Sequence, residues 1–395
     1  MPTYIDFLDL ILKPEEFALY FKELKNKSTD TQLYSNLETP IIPVKQKVQV
    51  VFDIPDYLSV KWHSNYKKTK IKKLNSYKGS MITLSNYKNL ADYLKNNFSP
   101  KKRAQFRTYK KRLETSFNIS YKVYYGAITK EEYNRLFAIF PKLIKKRFDL
   151  IGKNHHDLAV WDRYEENGFA LINAKKACLF VVYDEDNPIS IALNPVLNKV
   201  MYGYVRTFDA DYAKFYLGFT DLFLQLEWCY KNNIELYDLL KGTYDYKSKL
   251  TDHAYFFNKY LIYDASSFVA RFTACFYSLK IQGFYSFVKW LKKLHVHTAY
   301  HKYLQHKEEK LQEQQKAKLS WRIEQNIAFD ALKIARKVNW RAEHLDFLRR
   351  PIYDFLYTSK YSNHDLEVFE LTDAKNAYAI KGKSSIQKII FTKTA

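Results

Sequence analysis

Hydrophobic and polar positions along the chain predict a mixture of strands and helices. Short apolar runs, and runs in which every second residue is apolar, are typical of strands, whereas apolar residues three and four positions apart are typical of helices. The predicted strands are two extended segments within 47–63, then Ser80–Leu84, Asn118–Tyr125, Phe169–Asn173, Ala177–Tyr183, Ile189–Asn194, Val200–Phe208, Ile234–Leu239 and Tyr255–Tyr263. The predicted helices are a lead-in within 1–45 that opens at Pro14, a helix that follows Ser99, and the segments Thr129–Lys146 and Asp221–Lys231.

Local signals support these elements and their order. Ser99 followed by Pro100 is a typical cap and first residue of a helix. The polar segment 184–188, between two apolar runs, predicts a hairpin. The order is helix, strand, helix, an antiparallel run of strands, and then strand, helix, strand. We therefore expect an α/β (α+β) fold, in which helices flank a mixed and mostly antiparallel central sheet.

The two ends of the chain lie outside this pattern. Residues 284–350 contain neither glycine nor proline and are highly charged, which predicts a helical extension. The segments Leu366–Leu371 and Gln387–Thr392 predict a small strand pair after it. The chain is therefore divided into an N-terminal helix and strand region (1–79), a core (80–265) and a mainly helical, basic C-terminal extension (266–395).

Charge narrows the choice of partners. The 395 residues include 64 basic and 42 acidic side chains, which give a formal net charge of +22. Such a field favours nucleic acid, an anionic membrane face or phosphorylated substrates, although a lysine-rich surface explains it equally well. Seven lysines lie in 61–78 and seven basic residues in 101–112, and neither segment contains an acid. Residues 285–294 combine an apolar face with a lysine face, which would suit an anionic membrane but more commonly packs on a core.

The sequence also predicts the cellular location of the protein and the state of its cysteines. The first ten residues carry acids where a signal peptide carries bases, and no apolar run reaches ~18 residues. We therefore expect a cytoplasmic protein that is able to lie at the inner face of the membrane. The three cysteines are too few for a disulfide framework, and Cys178 and Cys229 fall at core positions where a thiol is inert.

Histidines give no sign of a metal site. His155 and His156 lie in a polar loop, and His297 and His301 share a helix face but lack the glutamate of a zinc helix. We therefore expect no bound metal.

The most specific chemistry lies in residues 202–249. They read as strand, loop, helix and strand, and end in the spacing D-x-x-x-G-x-x-x-Y-K. A loop that leads into a helix beside a strand end can bind an anion, because free backbone N–H groups and the helix dipole point at it. An ordinary helix start, with Thr220 as its cap, is the alternative.

Three landmarks between residues 80 and 265 occur together. The first is a short strand, M-I-T-L, ahead of the basic helix K-K-R-A-Q-F-R-T-Y-K-K-R-L-E. The second is the strand, loop and helix start Y-V-R-T-F-D-A-D-Y-A-K-F-Y-L-G-F-T, and the third is the D-x-x-x-G-x-x-x-Y-K ending. Together they resemble the GNAT superfamily of N-acetyltransferases, in its branch of exopolysaccharide- and cellulose-biosynthesis (CelD-like) acyltransferases.

The resemblance implies an activity and a set of residues. The activity is direct transfer of an acyl group from acyl-CoA (acetyl-CoA) to an amine or hydroxyl of a small molecule or of a polysaccharide or lipid precursor, without a metal. Such transfer needs an anchored donor, a base, an oxyanion site and a proton for the leaving thiolate. The implied donor-binding residues are Lys214, Tyr216, Leu217, Gly218, Phe219 and Thr220 for the phosphates, with Val205 and Thr207 where the strands separate. The implied catalytic and acceptor-side residues are Asp238 as base, Tyr246 as acid, and Arg206, Lys247 and Gly242 beside the substrate. The simplest interpretation of Gly242 is a turn with a positive φ.

Two points leave the donor and the base open. The better-known pyrophosphate loop of the superfamily reads Arg/Gln-x-x-Gly-x-Gly/Ala, whereas residues 214–220 offer only Gly218. An aminoacyl-tRNA-dependent transferase of the Fem type, with tRNA on 61–78 and 101–112, is therefore an alternative. A non-enzymatic protein that binds nucleic acid or a membrane surface is another. Asp238 is interpreted equally well as a carboxylate that braces a loop.

Overall fold

The computed structural model describes residues 2–38, 48–63, 66, 68–150, 152, 156–242, 245–294, 321–325, 335–372 and 374–391. The strands are β1 (Thr3–Asp6), β2 (Phe21–Asn26), β3 (Gln32–Ser35), β4 (Val48–Pro55), β5 (Leu58–Trp62), β6 (Thr69–Thr83), β7 (Ile119–Tyr124), β8 (Ala177–Asp184), β9 (Asn187–Leu197), β10 (Val200–Tyr202), β11 (Val205–Phe208), β12 (Leu236–Lys241), β13 (His253–Asp264), β14 (Trp321–Gln325), β15 (Arg336–Val338), β16 (Glu367–Glu370), β17 (Ala377–Lys381) and β18 (Ile386–Phe391). The helices are α1 (Phe7–Ile11), α2 (Pro14–Tyr20), α3 (Leu90–Asn97), α4 (Pro100–Ser116), α5 (Lys130–Asp149), α6 (Trp161–Asn173), α7 (Leu217–Lys231), α8 (Asp245–Leu250), α9 (Phe268–Lys293) and α10 (Arg349–Ser359).

A central sheet organises the described part of the chain. Its strands run in the order β1-β4-β13-β6-β12-β10-β9-β8-β7, and β11 adds to β9. Among the described strands of this sheet, only the pairs β1–β4 and β10–β12 are parallel, so the prediction of a mixed and mostly antiparallel sheet is confirmed. A second sheet, β3-β2-β5, covers one end.

The capping and hairpin signals are also confirmed. The Ser99 side chain accepts a hydrogen bond from the amide of Lys102 at the start of α4. Thr129, for which no cap was predicted, does the same for Glu132 in α5. Strands β8 and β9 form the predicted hairpin, with Glu185 at a φ of 54° in its turn.

Three sequence-based assignments differ from the structure. Residues Phe169–Asn173, predicted as a strand, are the last part of α6, whose buried positions follow a helical period over a longer window. The segment 1–45 contains strands as well as helices, because β1 pairs with the distant strand β4 and β2 with β5. The predicted short strand Ser80–Leu84 is the end of β6, which is 15 residues long.

The C-terminal region combines helix and sheet. Helix α9 agrees with the predicted helical extension. Strands β14 and β15, however, lie where the absence of glycine and proline predicted helix, and residues 295–320 and 326–334 of that prediction are outside the described residues. A five-stranded antiparallel sheet in the order β14-β18-β17-β16-β15 replaces the predicted strand pair. Neighbouring strands supply the hydrogen bonds that decide this, and no local pattern reports them.

This C-terminal sheet and α10 pack directly on the core. A single hydrophobic cluster joins Leu113 and Phe117 at the end of α4 with Ile352 and Leu356 of α10. The buried hydroxyl of Tyr212 donates to Asp184 at 2.7 Å and lies 3.2 Å from the Tyr353 hydroxyl. The boundaries 1–79, 80–265 and 266–395 stay a prediction.

Among the described residues, no helix has both the length and the apolar character needed to cross a bilayer.

The packing predicts the stability of α4 variants. Leu113 is fully buried in the shared cluster, so Leu113→Ala should lower the free energy of unfolding by about 2–5 kcal/mol through lost burial and a new cavity. Lys111→Ala, at an exposed site on the same helix, should change it by less than about 0.5 kcal/mol. Urea unfolding followed by circular dichroism measures both. Equal effects of the two variants would contradict the shared cluster.

Candidate active site

The central sheet opens at one place. Strands β10 and β12 are parallel neighbours up to Tyr202, which lies opposite Asp238. The amide of Gly203 then donates to the carbonyl of Asp238 at 2.7 Å. Beyond this bond, β11 continues on β9 alone, so a wedge forms between β11 and β12. The GNAT resemblance implied a separation of strands around Val205 and Thr207, and both residues lie on β11 beside this wedge.

A register slip accompanies the opening. Met201 of β10 lies opposite Val196, whereas Val205 of β11 lies opposite Leu193. Four steps along one strand thus match three along its neighbour, which defines a β-bulge. The bulge turns the backbone of β11 relative to that of β10.

The bulge decides which backbone groups face the opening. The amide of Asp209 donates to the carbonyl of Ile189 at 2.7 Å. In an antiparallel pair every second residue bonds to the same neighbour, so Val205 and Thr207 direct their amides toward β9. The amide of Arg206 therefore faces the wedge.

A cavity of about 540 Å³ fills the wedge. Its walls come from β11, the end of β12, α1, the end of α5, and α6. The charged side chains that line it are Asp6, Asp9, Arg147, Asp157, Arg163, Arg206, Lys241 and Lys247. Cations outnumber carboxylates, which suits an anionic ligand.

Asp6 is a carboxylate of the cavity wall with a raised pKa. Its side chain caps α1 by accepting from the amide of Leu8 at 2.9 Å. Burial raises the pKa of Asp6 to about 6, and the nearby Asp53 carboxylate adds to the effect. A carboxylate with this pKa is ionised at neutral pH and can still accept a proton. The sequence shows Asp6 only as a helix cap, since nothing local says that α1 closes a cavity 200 residues away.

Polar contacts fix the wall opposite the sheet. Arg163 of α6 donates to Asp9 at 2.7 Å, and the Tyr204 hydroxyl donates to the carbonyl of Leu8. The Arg147 guanidinium lies over the Phe208 ring, 4.2 Å from its centroid. The N-terminal segment is thus bound both to α6 and to Tyr204, between β10 and β11.

Lys247 belongs to α8, and its side chain reaches the end of β12. Its ammonium donates to the carbonyls of Leu239 at 2.5 Å and Lys241 at 2.7 Å. These carbonyls flank Leu240, which has a φ of 59° at an irregularity in the pairing of β12 with β6. Burial lowers the pKa of Lys247 to about 8, and Asp238 opposes this change. Lys247 therefore supports the bulged strand end and places a positive charge on the cavity wall.

Asp238 is sealed behind the cavity. It is fully buried, and its two carboxylate oxygens accept four hydrogen bonds. The donors are the hydroxyl of Tyr57, the hydroxyl of Tyr255, which reaches both oxygens, and the amide of Leu240, each at 2.7 Å. Burial raises the pKa of Asp238 to about 6, while the hydrogen bonds from the two tyrosines lower it. This geometry matches the bracing interpretation of Asp238.

The other two residues of the ending lie nearby. Gly242 has a φ of 112°, so the predicted positive-φ turn is confirmed. Tyr246 is in α8, and its side chain is outside the described residues.

The expected phosphate loop is partly covered. The ammonium of Lys214 lies 3.9 Å from Asp354 of α10. Tyr216 has a φ of 53°, and its ring stacks on Tyr109 of α4 with centroids 3.9 Å apart. Leu217 is fully buried. The C-terminal region and α4 therefore limit access to this loop.

The structure differs from the alternative in which Thr220 caps the helix that follows the loop. The helix begins at Leu217, so Thr220 is inside it and is not its cap. The amides of Phe219 and Thr220 bond to the carbonyl of Tyr216 at 2.9 and 3.3 Å. A Cβ atom on Gly218 would lie 2.8 Å from the Phe208 ring, so this glycine permits close packing.

Arg206 belongs to a buried polar network. It donates to the carbonyl of Gly218 at 2.8 Å and lies 3.4 Å from Asp221. Gln225 donates to Asp221 and accepts from Tyr237 at 2.6 Å. The network holds β11, β12 and the first turns of α7 together behind the cavity.

The two buried cysteines lie outside the cavity, whereas His156 is among the residues that line it. Burial raises the pKa values of Cys178 and Cys229 well above the usual range, consistent with inert thiols. Within the described ranges, no group of three or more histidine, cysteine or acidic side chains could hold a metal ion. His155, His297 and His301 are outside those ranges, as are residues 64, 65 and 67 of the basic segment 61–78.

One family model matches part of the chain. Residues 100–248 match the family model described as an acetyltransferase (GNAT) domain. No curated protein matches the chain.

Several solved structures are distantly similar. A conserved protein of unknown function from Bacteroides thetaiotaomicron is 10% identical, with a TM-score of 0.35 over 54% of this chain and 69% of that one. FemX is 11% identical, with a TM-score of 0.37 over 54% and 72%. The C-terminal domain of a putative lysylphosphatidylglycerol synthetase from Agrobacterium fabrum is 11% identical, with a TM-score of 0.32 over 58% and 72%. TM-scores this low carry no function across to this chain.

The matched residues 100–248 contain α4 to α7, the strand opening and most of the charged cavity wall. Residues 100–248 therefore match a GNAT-type acetyltransferase domain.

Proposed function

We propose that the chain is an acyltransferase that moves an acyl group from acyl-CoA to an amine or hydroxyl by direct attack in the cavity between β11 and β12. The observation that carries the proposal is the strand opening in a GNAT-type domain, lined by a carboxylate with a pKa of about 6 and several cations. The acceptor class is a small molecule or a polysaccharide or lipid precursor, and the site of action is the cytoplasm or the inner membrane face.

Asp6 is the proposed general base. It lines the cavity, whereas Asp238 is saturated with hydrogen bonds behind it. Asp6 would take the proton of the attacking amine or hydroxyl as the bond to the acyl carbon forms. Asp238 would then act as a positioning residue, which holds the end of β12 through Leu240.

The oxyanion and the leaving group need donors. The amide of Arg206 faces the wedge and is the proposed donor to the tetrahedral oxyanion. As the intermediate collapses, the carbon–sulfur bond breaks and the thiolate takes a proton, for which Tyr246 is the proposed acid. Lys247 would stabilise the developing negative charge from the cavity wall.

Donor binding rests on the cations of the cavity. The Arg147 guanidinium lies over the Phe208 ring, and the same ring packs against Gly218. Arg147 is therefore between the wedge and the start of α7. It is the proposed contact for the CoA phosphates, together with the backbone at 216–220 and Lys214.

An aminoacyl-tRNA donor is the second candidate. One observation favours it: the expected phosphate loop is covered by α4 and α10, and Lys214 faces Asp354. The charged segments 61–78 and 101–112 would then contact the nucleic acid. Titration with CoA separates the two donors.

The proposed base predicts a pH dependence. Because the pKa of Asp6 is about 6, kcat/KM should rise as pH increases through about 6 and fall as Asp6 is protonated below it. Asp6→Asn should lower kcat/KM by roughly 10²–10⁴-fold and remove this limb, while the asparagine still caps α1. The measurement is thiol release from acetyl-CoA with a panel of amine and hydroxyl acceptors. Asp264→Asn is the matched control, since Asp264 makes the same contact with the amide two residues on, at the surface.

One result would assign the role of general base to Asp238 instead of Asp6. If the acidic limb persists in Asp6→Asn and disappears in Asp238→Asn, the base is Asp238, as the sequence resemblance implies.

The donor site predicts an effect on binding. Arg147→Gln should weaken CoA binding about tenfold or more, because it removes a charged donor from the cavity. Lys145→Gln, exposed on the same helix, should leave the affinity unchanged. Calorimetric titration with CoA and acetyl-CoA measures both. Absence of CoA binding to the wild-type chain would contradict an acyl-CoA donor and favour aminoacyl-tRNA.

A further inference from the structure

Helix α9 presents a continuous apolar face to solvent. Phe272, Phe276 and Leu279, and then Phe287, Trp290 and Leu294, recur every three or four residues within each group and are each more than half exposed. The helix has 26 residues and is thus about 39 Å long. Exposed apolar surface of this extent marks an interaction site.

The opposite face of α9 attaches it to the protein. Ala270 and Ala274 are buried against Val50, Leu74 and Leu261 of the central sheet. The aromatic face therefore points directly away from the sheet.

Basic side chains flank the aromatic face. Residues 268–293 contain no acid. Their basic residues are Arg271, Lys280, Lys289, Lys292 and Lys293. At 100° per residue, Lys280 lies on one side of the face and Arg271 and Lys289 lie on the other. The ammonium of Lys259, from β13, lies 5.6 Å from the Tyr285 ring of α9 and adds a further cation.

We propose that α9 docks the protein on an anionic lipid bilayer, with the helix in the plane of the interface. Aromatic side chains on one face and cations at its borders are the pattern that buries in the headgroup region of anionic lipids. A second copy of the chain would bring two such acid-free, basic helices together, and like charges oppose that contact.

The docked helix lies near the cavity. Tyr285 is close enough to Tyr77 to contribute to the raised pKa of that hydroxyl. Tyr77 in turn donates to Asp53, which pairs with Lys241 at 3.0 Å on the cavity rim. The proposal that the protein docks on a membrane depends only on the properties of α9. Its consequence, that the acceptor is reached at the membrane surface, rests on the proposed function.

The test is co-sedimentation of the full chain with vesicles of equal parts phosphatidylglycerol and phosphatidylcholine, compared with phosphatidylcholine alone. We expect binding to the anionic vesicles only. Replacing Phe272, Phe276 and Trp290 by serine should weaken it at least tenfold, with unchanged circular dichroism because these side chains are exposed. Replacing Lys280, Lys289 and Lys293 by glutamine should weaken it several-fold. The charge-matched control replaces Lys101, Lys102 and Lys111, which are exposed on α4, by glutamine. This control should have little effect on vesicle binding.

Three results would overturn the proposal. The first is absence of vesicle binding by the wild-type chain. The second is loss of binding in the α4 control with none in the α9 variants. The third is a concentration-dependent dimer in analytical ultracentrifugation that only the aromatic variant abolishes, which would assign the face to a second copy. Thiol release from acetyl-CoA with soluble acceptors is measured in parallel, so failure of docking is distinguished from failure of the acyltransferase.

Discussion

The candidate site depends on where the parallel pairing of β10 and β12 stops. The Gly203–Asp238 backbone bond is the last bond between them, and the one-residue bulge that follows carries β11 away with β9. Without that bulge the two strands could continue side by side and close the wedge. The opening gives the protein a cavity inside a sheet, with the Arg206 amide directed into it.

Buried polar contacts keep the wedge open on both sides. Asp238 joins the end of β12 to Tyr57 and Tyr255, while Arg206 and Asp221 join β11 to the start of α7. A buried carboxylate is tolerated only when its oxygens are well bonded, and those of Asp238 accept four hydrogen bonds. Because the oxygens of Asp238 are already bonded behind the cavity, Asp6, which lines the cavity, is the better candidate for the base.

Regions outside the matched domain complete the site and modify it. Asp6, which caps α1, and Asp9 within α1 line one wall, and α10 covers the loop that was expected to hold phosphate. Helix α9 adds an apolar and basic surface beside the Lys241 rim. The GNAT-type domain therefore carries the opening, and the flanking segments give it its particular chemistry.

The sequence by itself determined the mixed sheet, the cap of α4, the β8–β9 hairpin, the positive φ of Gly242 and the resemblance to GNAT enzymes. These features depend on residues that are close together in the chain, so local periodicity and turn chemistry report them. Tertiary structure alone decided the pairing of β1 with β4, the five-stranded C-terminal sheet, the sealing of Asp238 and the place of Asp6. Each of these depends on groups far apart in the sequence, whose burial, hydrogen bonds and pKa values exist only once the chain has brought them together.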